Sequence, residues 1–240
     1  MEVIKRQGKH FVLIHGACHG GWSWYKLKPL LEAVGHKVTA LDLAASGIDS
    51  RKIEQLRTLH DYTLPLMDLM ESLPQEEKVI LVGHSLGGMN LGLAMEKYPQ
   101  KIYAAVFLAA FMPDSIHISS YVLNQYYERT PENWLDTQFL PYGSQEEPLT
   151  SMFFGPKFLA HKLYRLCSAE DLALASSLVR PSSLFLEDLS KGKYFTDEGC
   201  DHMSMLCMPD KLCASLLEIG HKYNRFFPLS HRVSCQHLNS

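Results

Sequence analysis

Four short, mainly apolar runs punctuate the first half of the chain: Phe11 to Ile14, Val38 to Leu43, Val79 to Val82 and Ala104 to Ala110. Each is a short apolar run. Their apolar positions follow one another rather than alternate, which is the pattern of strands buried on both faces, as in a parallel sheet. Helical stretches separate them: Trp24 to Ala33 closing at Gly35, Tyr62 to Leu73 before Pro74, and Met89 to Lys97 before Pro99. Alternating strand and helix predicts an α/β fold with right-handed crossovers. Its ligand site should lie at the carboxyl ends of the strands.

After Pro113 the rhythm changes. Helical apolar spacing runs from Lys157 to Cys167, Ser168 to Asp171 reads as a capping box opening another helix, and no strand run is evident. This predicts an inserted helical cap over about 113–195. Fourteen of the 25 aromatic residues fall between Phe111 and Phe195, where they either line a lid over the site or form the cap's own small core. Beyond it, Lys211 to Lys222 is an amphipathic helical run, and Arg225 to Ser240 lacks apolar periodicity.

Composition narrows the function. A length of 240 residues suits a single domain, and 46% hydrophobic with 20% charged residues is ordinary for a globular chain. A net charge of −3 offers no electrostatic footprint for nucleic acid or anionic lipid, and no run approaches the roughly 18 to 20 apolar residues of a membrane span. The polar start, Met1 to His10, carries no signal-peptide core, and cysteines 18, 167, 200, 207, 213 and 235 show no paired spacing. The expectation is a cytoplasmic protein with reduced thiols.

The chemistry centres on Gly83-His84-Ser85-Leu86-Gly87, which follows an apolar strand and opens a helix. That is the context of a nucleophile elbow, where Ser85 sits in a strained turn and both glycines avoid a collision with it. The helix start favours negative charge, so the Leu86 N–H is a candidate oxyanion donor. The second donor is expected from the loop after the first strand, His15-Gly16-Ala17, with the Ala17 N–H as candidate; an ordinary polar turn is the other reading of that loop. The base histidine of such a fold comes last in the chain, before the final helix, which selects His202; His84 is read as structural. Cys200, His202 and Cys207 match no usual zinc spacing, so no metal is expected.

These residues, with His10-Phe11-Val12-Leu13-Ile14-His15-Gly16-Ala17-Cys18-His19-Gly20, Tyr25 to Leu31 and Leu41-Asp42-Leu43-Ala44-Ala45-Ser46-Gly47, resemble the plant methylesterase branch of the α/β-hydrolases. That branch includes methyl salicylate and methyl jasmonate esterases and the related hydroxynitrile lyases. The resemblance implies a cofactor-free carboxylic ester hydrolase, with a small methyl ester or its acid product bound among Ala17, Ser85, Trp134, Phe139, Met152, Leu184 and His202. It favours methyl salicylate, while the residues leave methyl jasmonate and methyl indole-acetate open, because apolar pockets discriminate weakly between similar apolar groups. Gly16, Met203 and His84 stand where lyases carry a threonine, a lysine and commonly an acid, so the esterase side of the branch is implied. A homodimer is left open as the only protein partner.

One departure is large. Only eight residues, Tyr194 to Asp201, precede His202 where the fold needs a strand, an acid-bearing turn, a helix and a further strand, at least about 30 residues. The resemblance implies roughly forty residues missing between Glu198 and Gly199, on ordinary element lengths. Neither Asp197 nor Asp201 is well placed to replace the lost acid. The expected architecture is one α/β-hydrolase domain over 1–240, with core 9–112 and 196–224, cap 113–195 and an atypical tail 225–240. Its C-terminal sheet strands are missing. The expected function is ester hydrolysis impaired by loss of the triad acid; the alternative is a non-catalytic salicylate-type binder or an inactive truncated variant.

Overall fold

A computed structural model describes residues 8–129, 134–192 and 194–195. Its base is a four-stranded parallel sheet in the order β2-β1-β3-β4, formed by β1 (His10–Ile14), β2 (Lys37–Leu41), β3 (Val79–His84) and β4 (Ile102–Leu108). All four expected strands are present. Register runs Val12 opposite Thr39 and Leu81, and Ile14 opposite Leu41 and Gly83, so the end of β1 lies level with the start of the elbow.

Side chains on successive strand residues point to opposite faces, and the sheet uses both. Val12, Ile14, Val79 and Leu81 face the larger core, shared with α2 (Leu59–Ser72) and α3 (Gly87–Lys97). Leu13, Val38 and Val82 face a smaller cluster with Trp24, beside α1 (Leu27–Ala33). A capping box opens α2, with the Thr58 hydroxyl accepting from the Asp61 amide at 3.0 Å. Helix α3 is buried from Gly87 to Ala94, which places the elbow in the most enclosed part of the base. Among the described residues β4 pairs only with β3. The expected core segment 196–224 and tail lie outside the described residues.

The cap corrects an expectation. Besides α4 (Tyr121–Arg129), α6 (Ala169–Leu178) and short α7 (Leu186–Leu189), it holds a three-stranded antiparallel sheet of β5 (Gln138–Gly143), β6 (Pro148–Phe153) and β7 (Ser182–Ser183). It is therefore mixed rather than helical. Pro141 and Gly143 hide β5 in the sequence, and proline is tolerated because β5 is an edge strand. The stretch read as helical from Lys157 is also shorter than expected: α5 (Pro156–Phe158) continues into one π turn, Leu159–Leu163, and stops before Tyr164. The capping box at Ser168 is formed, its hydroxyl accepting from the Asp171 amide at 3.2 Å.

Candidate active site

Backbone strain marks the working edge of the sheet. Cys18, Ala45, Ser85 and Ala109 have positive φ of 62°, 59°, 54° and 45°, and each follows the carboxyl end of a different strand, β1 to β4. Such conformations cost a non-glycine residue about 1–2 kcal/mol and persist only where surrounding structure enforces them.

At Ser85 the enforcement comes from the flanking glycines. A Cβ on Gly83 would lie 2.9 Å from the Gly87 carbonyl, and one on Gly87 would lie 2.8 Å from the carbonyl oxygens of Ile14 and His15. Backbone against backbone leaves nothing to yield. The turn is held from behind, because the Ser85 carbonyl accepts from the amides of Gly88 (3.1 Å) and Phe111 (3.0 Å). The side chain is half-buried, and its Oγ has no hydrogen bond to a described residue. It stands at the amino end of the eleven-residue α3, where the helix dipole favours negative charge.

The loop after β1 closes over the same spot. A Cβ on Gly16 would be 2.9 Å from the Ser85 Cβ, so only glycine lets the two loops meet this closely. The Ala17 and Leu86 amides, both on buried residues, donate to no described acceptor. Two orphan N–H groups beside a serine form an anion-binding arrangement.

Two buried histidines shape that loop. The Leu43 amide donates to Nε2 of His15 at 3.1 Å, so the ring proton is on Nδ1, which donates to the Gly16 carbonyl at 2.9 Å. The Gly16 carbonyl also accepts from the His19 amide at 3.2 Å. Because a trans peptide points its C=O and N–H in opposite directions, fixing that carbonyl fixes the Ala17 N–H. Nδ1 of His19 lies 2.8 Å from the Ala17 carbonyl and its Nε2 lies 2.8 Å from the Tyr164 hydroxyl. Burial pulls both imidazoles down to about 4, so they are neutral at pH 7. Burial likewise pushes the Cys18 thiol up to about 12, which makes it an unreactive packing group.

A cavity of about 260 Å³ opens in the cap, lined by Tyr127, Phe139, Met152, Leu184 and Phe185 with Thr150 and Glu187 at its polar side. Trp134 packs on its wall, 5.5 Å from Phe139 and 5.0 Å from Tyr127 between ring centres. All four cap residues expected at the ligand are thus together. Met152 ties them to the oxyanion loop, since the Cys18 thiol donates to its carbonyl at 3.5 Å. The cap aromatics are divided between the cavity and the main core: Tyr127 and Phe139 face the cavity, whereas Phe154 and Phe158, with Trp134 packed against them, join the large core shared with the base rather than a separate core of the cap.

Among the expected site residues, the structure gathers Ser85, Leu86 and Ala17 at one point and Trp134, Phe139, Met152 and Leu184 around the cavity. His202, Met203, Asp197 and Asp201, and the Cys200 and Cys207 considered for zinc, lie outside the described residues. Among the described residues no group of three or more His, Cys, Asp or Glu is placed to hold a metal. Sequence reasoning missed His19, Tyr164 and Arg180. The Arg180 guanidinium donates to the carbonyls of Gly47, Asp49 and Arg51 at 2.6–2.9 Å, and its amide donates to that of Cys18, pinning the cap to the base.

Comparison with known proteins supports the fold. A family model described as alpha/beta hydrolase fold matches residues 9–203. The chain is 74% identical to Salicylic acid-binding protein 2 of Nicotiana tabacum over 259 residues, covering 91% of this chain and 100% of that protein. It is 55% identical to Methylesterase 1 of Arabidopsis thaliana over 260 residues, covering 91% and 98%. The crystal structure of polyneuridine aldehyde esterase superposes with a TM-score of 0.79 at 46% identity, covering 89% of this chain and 100% of that one.

Proposed function

We infer from the site and from the family, the plant methylesterase family of α/β-hydrolases to which this chain belongs, that it is a carboxylic ester hydrolase acting on small methyl esters, methyl salicylate first among them. The observation that carries the reading is the strained Ser85 with the Ala17 and Leu86 amides beside it, neither of which donates to a described acceptor. Ser85 Oγ attacks the ester carbonyl while His202 takes its proton. The carbonyl oxygen, now negative, is held by the two amides. His202 then protonates the departing methanol, and water, activated by the same histidine, releases the acid from Ser85. The aromatic ring of the acid occupies the cap cavity among Phe139, Met152 and Leu184, with Trp134 on its wall.

Turnover is reduced in this chain. The eight-residue interval before His202 leaves no room for the usual acid, and 91% of 240 residues, about 218, is some forty fewer than the 259 positions aligned with the tobacco relative. Without that acid the histidine lacks a partner fixing its tautomer, a loss that lowers turnover by about 10⁴ in other triad enzymes. The same interval favours a second reading, a binder of salicylate-like acids. The test is hydrolysis of methyl salicylate by the purified chain and by Ser85→Ala. Loss of the enzymatic rate in the variant supports hydrolysis, an equal rate refutes it, and salicylate binding without turnover in either supports the binder.

A further inference from the structure

Hydrogen bonds join the cap to the oxyanion loop. The Arg180 amide donates to the Cys18 carbonyl at 3.0 Å, the Cys18 thiol to the Met152 carbonyl at 3.5 Å, and the Tyr164 hydroxyl lies 2.8 Å from Nε2 of His19. Only the third passes through a side chain that in turn grips the residue carrying the amide. His19 holds the Ala17 carbonyl at 2.8 Å, while His15 holds the Gly16 carbonyl at 2.9 Å. Ala17 is therefore fixed by its peptide on both sides, and its N–H has no freedom to turn.

We propose that Tyr164 is a positioning residue for the hydrolysis: by donating its hydroxyl to Nε2 of His19 it keeps the imidazole aimed at the Ala17 carbonyl, so the seated cap holds the oxyanion amide in place. The proposal rests on the reading of Ala17 as an oxyanion donor. Three features support it. An imidazole that accepts at Nε2 must carry its proton on Nδ1, the form that can donate to the Ala17 carbonyl. Cys18, the next residue, has a φ of 62°, so turning the Ala17–Cys18 peptide over would relieve its strain; the His19 bond opposes that flip. The segment that delivers Tyr164 is a single π turn, an irregularity frequent at functional sites, whose last residue precedes the tyrosine directly. His19 is also wedged by Trp22, with ring centres 5.3 Å apart, and by the edge of Phe154, so it cannot swing to another acceptor without disturbing the cap.

The readout is phosphonylation of Ser85, in which the negative phosphoryl oxygen is held by the oxyanion amides and no second, hydrolytic step is needed. A fluorophosphonate reacts as the serine oxygen forms a bond to phosphorus and the phosphorus–fluorine bond breaks; fluoride leaves and the serine proton passes to His202 or water. Tyr164→Phe is expected to lower this second-order rate about tenfold, less than deletion of an oxyanion donor itself, with the affinity for salicylate unchanged. His19→Ala should lose at least as much. His19→Asn, whose amide nitrogen takes the place of Nδ1, should recover most of it, and adding Tyr164→Phe to His19→Asn should change nothing further. A Tyr164→Phe variant as fast as the parent overturns the proposal, as does an equal loss from Tyr164→Phe in the His19→Asn background. If the parent itself takes up no phosphonyl group at Ser85, the hydrolase reading fails. The crystal structures of parent and Tyr164→Phe then decide the proposal separately: a carbonyl turned away from His19 in the variant supports it, and an unmoved Ala17 peptide overturns it.

Discussion

Lowering the pH from 7 to 5 should destabilise this protein steeply through His15 and His19. Both imidazoles are buried and neutral in the fold, with values pulled down to about 4 by burial, against 6.5 for an unhindered histidine. Between those limits the unfolded chain binds protons that the folded chain refuses, so stability falls as pH falls through 6.5 and the loss saturates below 4. Each group then costs about 2 kcal/mol at pH 5 and about 3 kcal/mol at pH 4. The pair costs about 4 kcal/mol at pH 5, a large share of the roughly 5–15 kcal/mol that holds a domain together. His10 and His84 are lowered by burial too and act in the same direction. Urea unfolding at half-unit steps from pH 7 to 5 measures the slope, and a His15→Asn/His19→Asn double variant isolates the pair. The expected slope near pH 5.5 is smaller in the variant by about 2 kcal/mol per pH unit. A parent equally stable at pH 5 and 7, or a variant with the parent's slope, would refute the reasoning.

Gly83→Ala and Gly87→Ala each drive a methyl group into backbone, at 2.9 and 2.8 Å, and should cost about 1–3 kcal/mol while lowering ester hydrolysis; a parent-like melting temperature in either variant would contradict the packing argument. Arg180→Ala removes bonds to three carbonyls and should lower the melting temperature, with Arg180→Lys recovering less than half of the loss because an ammonium cannot span all three. Mandelonitrile should yield no cyanide above the solution background, since Gly16 and Met203 replace the groups used by lyases; release that depends on Ser85 would overturn this. Inserting a family-length strand, acid, helix and strand between Glu198 and Gly199 should raise methyl salicylate turnover at least about 10³-fold, and equal rates would mean that an acid of the present chain completes the triad.

What could be read from the sequence was whatever depends on neighbours in the chain. The elbow needs only Gly83, Ser85 and Gly87 after an apolar strand, and the base strands are short runs of buried residues. The cap strands were hidden because Pro141 and Gly143 break the usual strand signal and β7 is only two residues long. Histidine roles were hidden for a different reason. His15 acquires its tautomer from Leu43, 28 residues on, and His19 meets Tyr164 across 145 residues, distances over which no local pattern reports. Arg180 likewise finds its carbonyls some 130 residues back in the chain.

The central claim is that Ser85 carries the acyl group of a methyl ester. Methyl salicylate mixed with the purified chain, quenched in acid within its first turnovers and digested for mass spectrometry, tests this directly. A salicyl ester on the peptide containing Ser85, absent from Ser85→Ala, is the expected result. Methanol released at the parent rate by Ser85→Ala, or the acyl group found on another residue, would contradict it.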